Sequence, residues 1–243
     1  MIRVKICGIT TPEDGALAAD LGASAIGMVF WPGSPRVVDI ARAHAIVAAL
    51  PPFVSVVGVF VNQTGEAVEI ARTVGLTAIQ LHGDEAPDTY RDLASAAPGI
   101  RVIKAVAVRD ESALTAASAV PPGATVLLDA HDPIARGGTG RTIDWSIAAA
   151  IARQRRVILS GGLNAGNVAE AIAAVQPYAI DVSSGVESAP GKKDPAKLRA
   201  LFDMLRHSSS PSSSSSLPSS PLPSSSSSFL IPPFRHSAFV IRH

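Results

Sequence analysis

Cysteine is nearly absent from this chain: Cys7 is the only one in 243 residues, so no intramolecular disulfide can form and nothing requires an oxidising compartment. One cysteine and six scattered histidines also give no zinc-ligand spacing, and we expect no metal. Charge is sparse and balanced, 17% of residues with a formal net charge of +1, and acids and bases are mixed along the folded part. That excludes a nucleic-acid footprint, and an anionic ligand must be met by local groups. No apolar run approaches the roughly twenty residues of a membrane span. The opening MIRVKICG already reads as a core strand, which predicts no secretory or transit peptide and a cytoplasmic location.

What is present is a repeated alternation. Short, continuously apolar runs occur at 3–7, 25–30, 54–60, 78–82, 101–107, 125–130, 156–160 and 179–183. Continuous rather than alternating hydrophobicity marks strands covered on both faces, as in a parallel sheet. Between them lie Ala-rich amphipathic stretches with readable starts. These are Thr11-Pro12 before 12–21, Asp39 before 40–50, Asn62 or Thr64 before 65–74, and Pro87 opening 87–96. Asp110 then precedes 111–119, Asp144 precedes 145–152, Asn164 precedes 165–175, and Asp194-Pro195 opens 195–206. Such residues cap orphan amides or fit the first turn. Eight strand–helix repeats imply a single-domain (β/α)8 TIM barrel over residues 1–206, an open doubly wound sheet normally using fewer repeats. Residues 207–243 begin as Ser and Pro with no face to bury and should form a disordered, low-complexity tail with no role in activity.

Two strand ends are alike. VILSGGLNAGNV and AIDVSSGVES each run from a buried strand into Ser and Gly. Loops after the seventh and eighth strands are where barrels hold phosphate, on bare backbone N–H groups and helix N-termini. We therefore expect Gly161, Gly162, Ser183, Ser184 and Gly185 to form one anion site. A Cβ at any of the three glycines would keep phosphate oxygens from the amides.

Reactive side chains in such a barrel belong at C-terminal strand ends. Cys7 ends the first strand, although an unpaired cysteine also serves as a small buried hydrophobe. Asp129 ends TVLLDA, where a carboxylate after Val126-Leu127-Leu128 must reach the mouth or be buried at large cost. Arg36 lies in FWPGSPRVV, stiffened by two prolines and a glycine; it is either a forked donor held over the mouth for a carboxylate or ordinary exposed arginine. Residues 131–145 form a long Gly-rich loop, either of the sort that folds over a ligand or a flexible linker. Gln80 and His82 close the fourth strand, where His82 is either a catalyst or a hydrogen-bond partner of one.

The stretches KICGIT, VFWPGSPR, VGVFVN, QLHGDE, LLDA, GGTGRTIDW, LSGGLN and DVSSGVESAPGKKD, in this order, resemble the phosphoribosylanthranilate isomerase family of tryptophan biosynthesis. The resemblance covers Lys5 to about Arg206; the Ser/Pro tail has no counterpart in it. It implies an Amadori rearrangement of N-(5-phosphoribosyl)anthranilate without any cofactor. Cys7 would be general base and Asp129 general acid. Arg36, with Gln80 and His82, would bind the substrate, Arg36 at its carboxylate, and the Gly and Ser loops would take the phosphate. The implied partner is this small phosphosugar alone, with no nucleic acid and no membrane, on a monomer or homodimer. A phosphosugar isomerase of histidine biosynthesis is the nearest rival, and a catalytically silent phosphate-binding barrel is the rival outside enzymes.

Overall fold

The computed structural model describes residues 2–86, 88–130 and 143–207. Eight parallel strands close into a barrel in chain order: β1 (Arg3–Cys7), β2 (Ala25–Val29), β3 (Ser55–Phe60), β4 (Ala78–Leu81), β5 (Arg101–Val108), β6 (Ala124–Ala130), β7 (Val157–Leu159) and β8 (Ala179–Val182). Helices α1 (Pro12–Leu21), α2 (Ile40–Ala48), α3 (Thr64–Val74), α4 (Asp88–Ala96), α5 (Ser112–Ala119), α6 (Trp145–Ala152), α7 (Val168–Val175) and α8 (Pro195–His207) alternate with them. The (β/α)8 expectation holds. A 3₁₀ turn, Ser184–Val186, and a small antiparallel pair, β9 (Glu187–Ala189) with β10 (Lys192–Lys193), fill the loop after β8.

Alternation along each strand divides the core in two. Outward side chains such as Ile6, Ile26, Ile79, Val126 and Ile180 meet the helices. Inward ones, Val57, Ala78, Ile103, Leu127, Ile158 and Ala179, plug the lumen. This is why the strands are apolar throughout: both faces leave water, each large aliphatic side chain contributing about 1.5–3 kcal/mol. Lys5 and Cys7 share a parity on β1 and point inward, as do Gln80 on β4, Asp129 on β6 and Asp181 on β8, so the lumen above the plug is polar.

Helix starts follow local chemistry in most places. The Thr11 side chain accepts from the Asp14 N–H, Asp39 from Arg42 and Asp144 from Ser146. Three expectations are corrected. Residues 165–167 form a turn rather than helix, and α7 begins only at Val168: the Asn164 side-chain oxygen accepts from the Gly166 N–H and the Asn167 side-chain oxygen from the Asn164 N–H, with both NH₂ groups on the Gly162 carbonyl. Neither Asn62 nor Thr64 caps α3: Gln63 holds that position without a side-chain bond, and the Asn62 side-chain oxygen Oδ1 accepts from the Asp84 N–H. Helix α8 runs to His207, one residue past the expected boundary at 206. The tail and residues 131–142 of the loop after β6 lie outside the described residues.

Candidate active site

At the C-terminal end of the barrel, β1 places Cys7 at the mouth, 8% exposed, against Val29 and Val59 with Trp31 beside them. Two residues below, the Lys5 ammonium meets the Asp181 carboxylate at 3.0 Å, both buried. Gly27 of the neighbouring strand leaves room for this, since a Cβ there would stand 2.9 Å from both Cys7 Sγ and Lys5 Cε. Burial works to discharge Lys5, but the charges of Asp181 and Cys7 outweigh it and hold the ammonium above the ordinary lysine range. Burial pushes the Cys7 thiol up; Lys5 and Lys193 draw it back only in part, and Asp181 adds to the rise.

On the other side of the mouth, Asp129 Oδ2 lies 3.2 Å from His82 Nε2, and His82 Nδ1 lies 2.9 Å from Gln80 Nε2. Glu85 braces the loop beyond His82, accepting from the N–H groups of Asn62 and Gly83 and pairing with Lys104 at 2.6 Å. Gln80 is wholly buried and meets the site only through His82. A substrate-binding role by direct contact is therefore not what its position offers.

Arg36 does not wave free over the mouth. Its Nε and Nη2 donate to the two carboxylate oxygens of Glu187, at 2.9 and 2.7 Å. Glu187 also takes the fully buried Lys193 ammonium at 2.7 Å, and Lys193 donates in turn to the Cys7 and Ser183 carbonyls. The bond to Glu187 raises the Arg36 guanidinium further, while burial lowers the Lys193 ammonium. Burial alone would raise the Glu187 carboxyl, yet its two cations bring it below the usual range.

The two Gly/Ser loops do converge. Ser160, Gly161, Gly162 and Leu163 face Ser183, Ser184 and Gly185 around a recess of about 280 Å³, open solvent included, that Asp129 and Asp181 also line. Among the described residues, no Lys or Arg lines it, and no protein acceptor takes the N–H of Gly162, Ser184 or Gly185. Three free amides are what an anion needs where no cation is supplied. The glycines are required for reasons beyond close approach. Gly161 and Gly162 have φ of 91° and 65°, a left-handed backbone, and a Cβ on Gly185 would overlap the Leu163 carbonyl oxygen.

Asp181, Glu187 and Lys193 escaped the sequence reading. Asp181 carried the signal that flagged Asp129, a carboxylate inside a buried strand. Glu187 and Lys193 carried none, being charged residues in a polar loop.

A closed barrel whose ionisable groups and unbonded amides gather at the C-terminal ends of its strands defines the chain as a (β/α)8 protein with its candidate site where such barrels carry theirs. Comparison with known proteins narrows this. The family model for N-(5'-phosphoribosyl)anthranilate (PRA) isomerase matches residues 4–204. The N-(5'-phosphoribosyl)anthranilate isomerase of Pelobacter propionicus is 49% identical over 213 residues, 87% of this chain and 99% of its own. The crystal structure of phosphoribosyl anthranilate isomerase from Thermus thermophilus superposes with a TM-score of 0.77 at 41% identity, covering 85% of this chain and 99% of that one. A phosphoribosyl anthranilate isomerase in complex with reduced 1-(o-carboxyphenylamino)-1-deoxyribulose 5-phosphate gives 0.73 at 40% identity, over 85% of this chain and 100% of its own. This chain belongs to the N-(5'-phosphoribosyl)anthranilate isomerase family.

Proposed function

We infer that the protein converts N-(5-phosphoribosyl)anthranilate to 1-(2-carboxyphenylamino)-1-deoxyribulose 5-phosphate, the Amadori step of tryptophan biosynthesis. Family membership along the whole barrel carries this reading, with Cys7 and Asp129 both on its inward face at the mouth. Asp129, protonated when substrate is bound, gives its proton to the furanose ring oxygen. The C1′–O bond breaks toward that oxygen, and the anilino nitrogen lone pair forms a C1′=N Schiff base. Electron withdrawal by the iminium acidifies the proton on C2′, which the Cys7 thiolate removes to leave an enolamine. Reprotonation at C1′, with loss of the C2′ hydroxyl proton, yields the ketone. Atoms and electrons balance within the one molecule. General acid and general base effects of this kind are each worth roughly 10² to 10⁴ in rate.

The surroundings of each group support its role. Because burial raises the Cys7 thiol, deprotonation belongs to the loaded site, where Lys5 and Lys193 stand ready to stabilise sulfur charge. Arg36 offers the substrate carboxylate the donors that Glu187 does not use, its fork fixed before binding. Trp31, packed beside Cys7, provides an apolar wall for the anthranilate ring. The phosphate would be taken between the Gly161-Gly162 and Ser183-Ser184-Gly185 turns, on backbone amides.

The test is the loss of substrate fluorescence with freshly made phosphoribosylanthranilate. Cys7→Ala and Asp129→Asn should fold normally and each lose at least about 10² of kcat. Wild-type protein that binds the substrate without converting it would make this a silent phosphate-ligand barrel. A folded single mutant retaining near-wild-type kcat would remove that residue from the mechanism.

A further inference from the structure

The bond between Gln80 and His82 bears on which atom of Asp129 carries the proton. Gln80 has no exposed surface, its Nε2 lies 2.9 Å from His82 Nδ1, and its Oε1 is buried without a partner among the described residues. The nitrogen of the Gln80 amide, not its oxygen, faces Nδ1, so the amide donates there. A histidine that accepts at Nδ1 cannot be an imidazolium and must hold its one hydrogen on Nε2. Nε2–H then donates across 3.2 Å to Asp129 Oδ2.

We propose that Gln80 fixes His82 in the Nε2–H tautomer, and that His82 thereby makes Oδ1 the oxygen of Asp129 that carries the transferable proton. In a carboxylic acid the carbonyl oxygen is the better acceptor and the hydroxyl oxygen the poorer. An N–H already aimed at Oδ2 therefore selects Oδ2 as carbonyl and Oδ1 as hydroxyl. As the proton leaves Oδ1 for the substrate ring oxygen, Asp129 becomes a carboxylate and the bond from His82 becomes charge-assisted, hence stronger in the transition state than before it. The opposite tautomer would present a lone pair to Oδ2, draw the acid proton toward His82 and withhold it from the substrate. Gln80 is thus a positioning residue. Its consequence for rate rests on the isomerase reading above, whereas the tautomer itself does not.

Nitrogen-15 NMR of the histidine ring at pH 8 distinguishes a protonated from a lone-pair nitrogen, and the His82 signals are assigned by their loss in His82→Asn. In wild-type protein we expect Nε2 protonated and Nδ1 bare. Gln80→Glu, whose carboxylate accepts where the amide donates, should add a hydrogen at Nδ1, and Gln80→Leu should give a mixture of the two tautomers. Both variants should lose about tenfold to a hundredfold in kcat, on the scale known for outer partners of metal-bound histidines, with KM changed less than about twofold. A residue important only for packing would lower the melting temperature and leave both the tautomer and kcat alone. Wild-type His82 protonated on Nδ1, or on both nitrogens, would overturn the proposal even if neither variant folds. So would folded Gln80 variants that keep the wild-type tautomer and kcat. Wild-type protein with the expected tautomer but no turnover would count against the isomerase reading instead.

Discussion

Replacing Glu187 by Gln tests the electrostatic framework behind the mouth. The wild-type carboxylate is 4% exposed and sits between the Lys193 ammonium, 0% exposed, and the Arg36 guanidinium, 12% exposed. Glutamine keeps the shape but loses the charge, and its NH₂ group must face one of two cationic donors. Three charge-assisted bonds at about 1.5–3 kcal/mol each set an upper bound of roughly 4.5–9 kcal/mol. Breaking one member out of a buried ion network typically costs about 3–5 kcal/mol, because the stranded charges then shed a proton or admit water. We take about 4 kcal/mol, which for a barrel of this size lowers Tm by roughly 8–16 °C. Calorimetry at neutral pH measures this directly. The folded carboxyl lies below the usual range, so its contribution is complete above the unfolded value of about 4.3 and disappears as pH falls through the folded one. The gap between wild type and Glu187→Gln should therefore be full at pH 6–8 and close below about pH 4. A Tm within about 2 °C of wild type at neutral pH, or a gap that widens in acid, would refute the assignment of Glu187 as the charge that holds Arg36 and Lys193 together.

Other outcomes follow from the same geometry. Arg36→Met should raise KM with a smaller effect on kcat, as steady-state kinetics will show; an unchanged KM would remove the carboxylate contact. Since burial raises the Cys7 thiol, its ionisation, followed directly by the ultraviolet absorbance of the thiolate, should lie above the free-thiol value of about 8.5. An absorbance step already complete at pH 7 would show a thiol ionised at rest. Gly185→Ala drives a methyl group into the Leu163 carbonyl and should cost about 3 kcal/mol, the upper end for overpacking, seen as a Tm lowered by roughly 6–12 °C.

The fate of individual sequence signals shows what kind of information each carried. Cys7 and Asp129 were legible because a polar or reactive group at the end of an apolar strand has few places to go, and in a barrel the place is the mouth. Asp181 breaks the same pattern in AIDVS, and its partner Lys5 lies 176 residues away on the first strand. Arg36 was recognised, but its partner Glu187 lies 151 residues away, and no spacing rule links them. Asn164 reads as a helix cap by composition. Its side-chain oxygen does accept from the Gly166 N–H two residues on, but within a turn, and the helix itself starts only at Val168.

Residue order by itself determined the alternation of strands and helices, the closure into a barrel and the pair of Gly/Ser loops after its last two strands. These depend on periodicity and on turn chemistry within a few residues of one another. Only the tertiary structure decided that Lys5 neutralises Asp181, that Glu187 joins Arg36 to Lys193, and that Gln80 reaches Asp129 through His82. A buried charge or amide takes its partner from whichever strand or loop ring closure brings within about 3 Å, and that distance is set by the shear of the whole barrel rather than by any local stretch of chain.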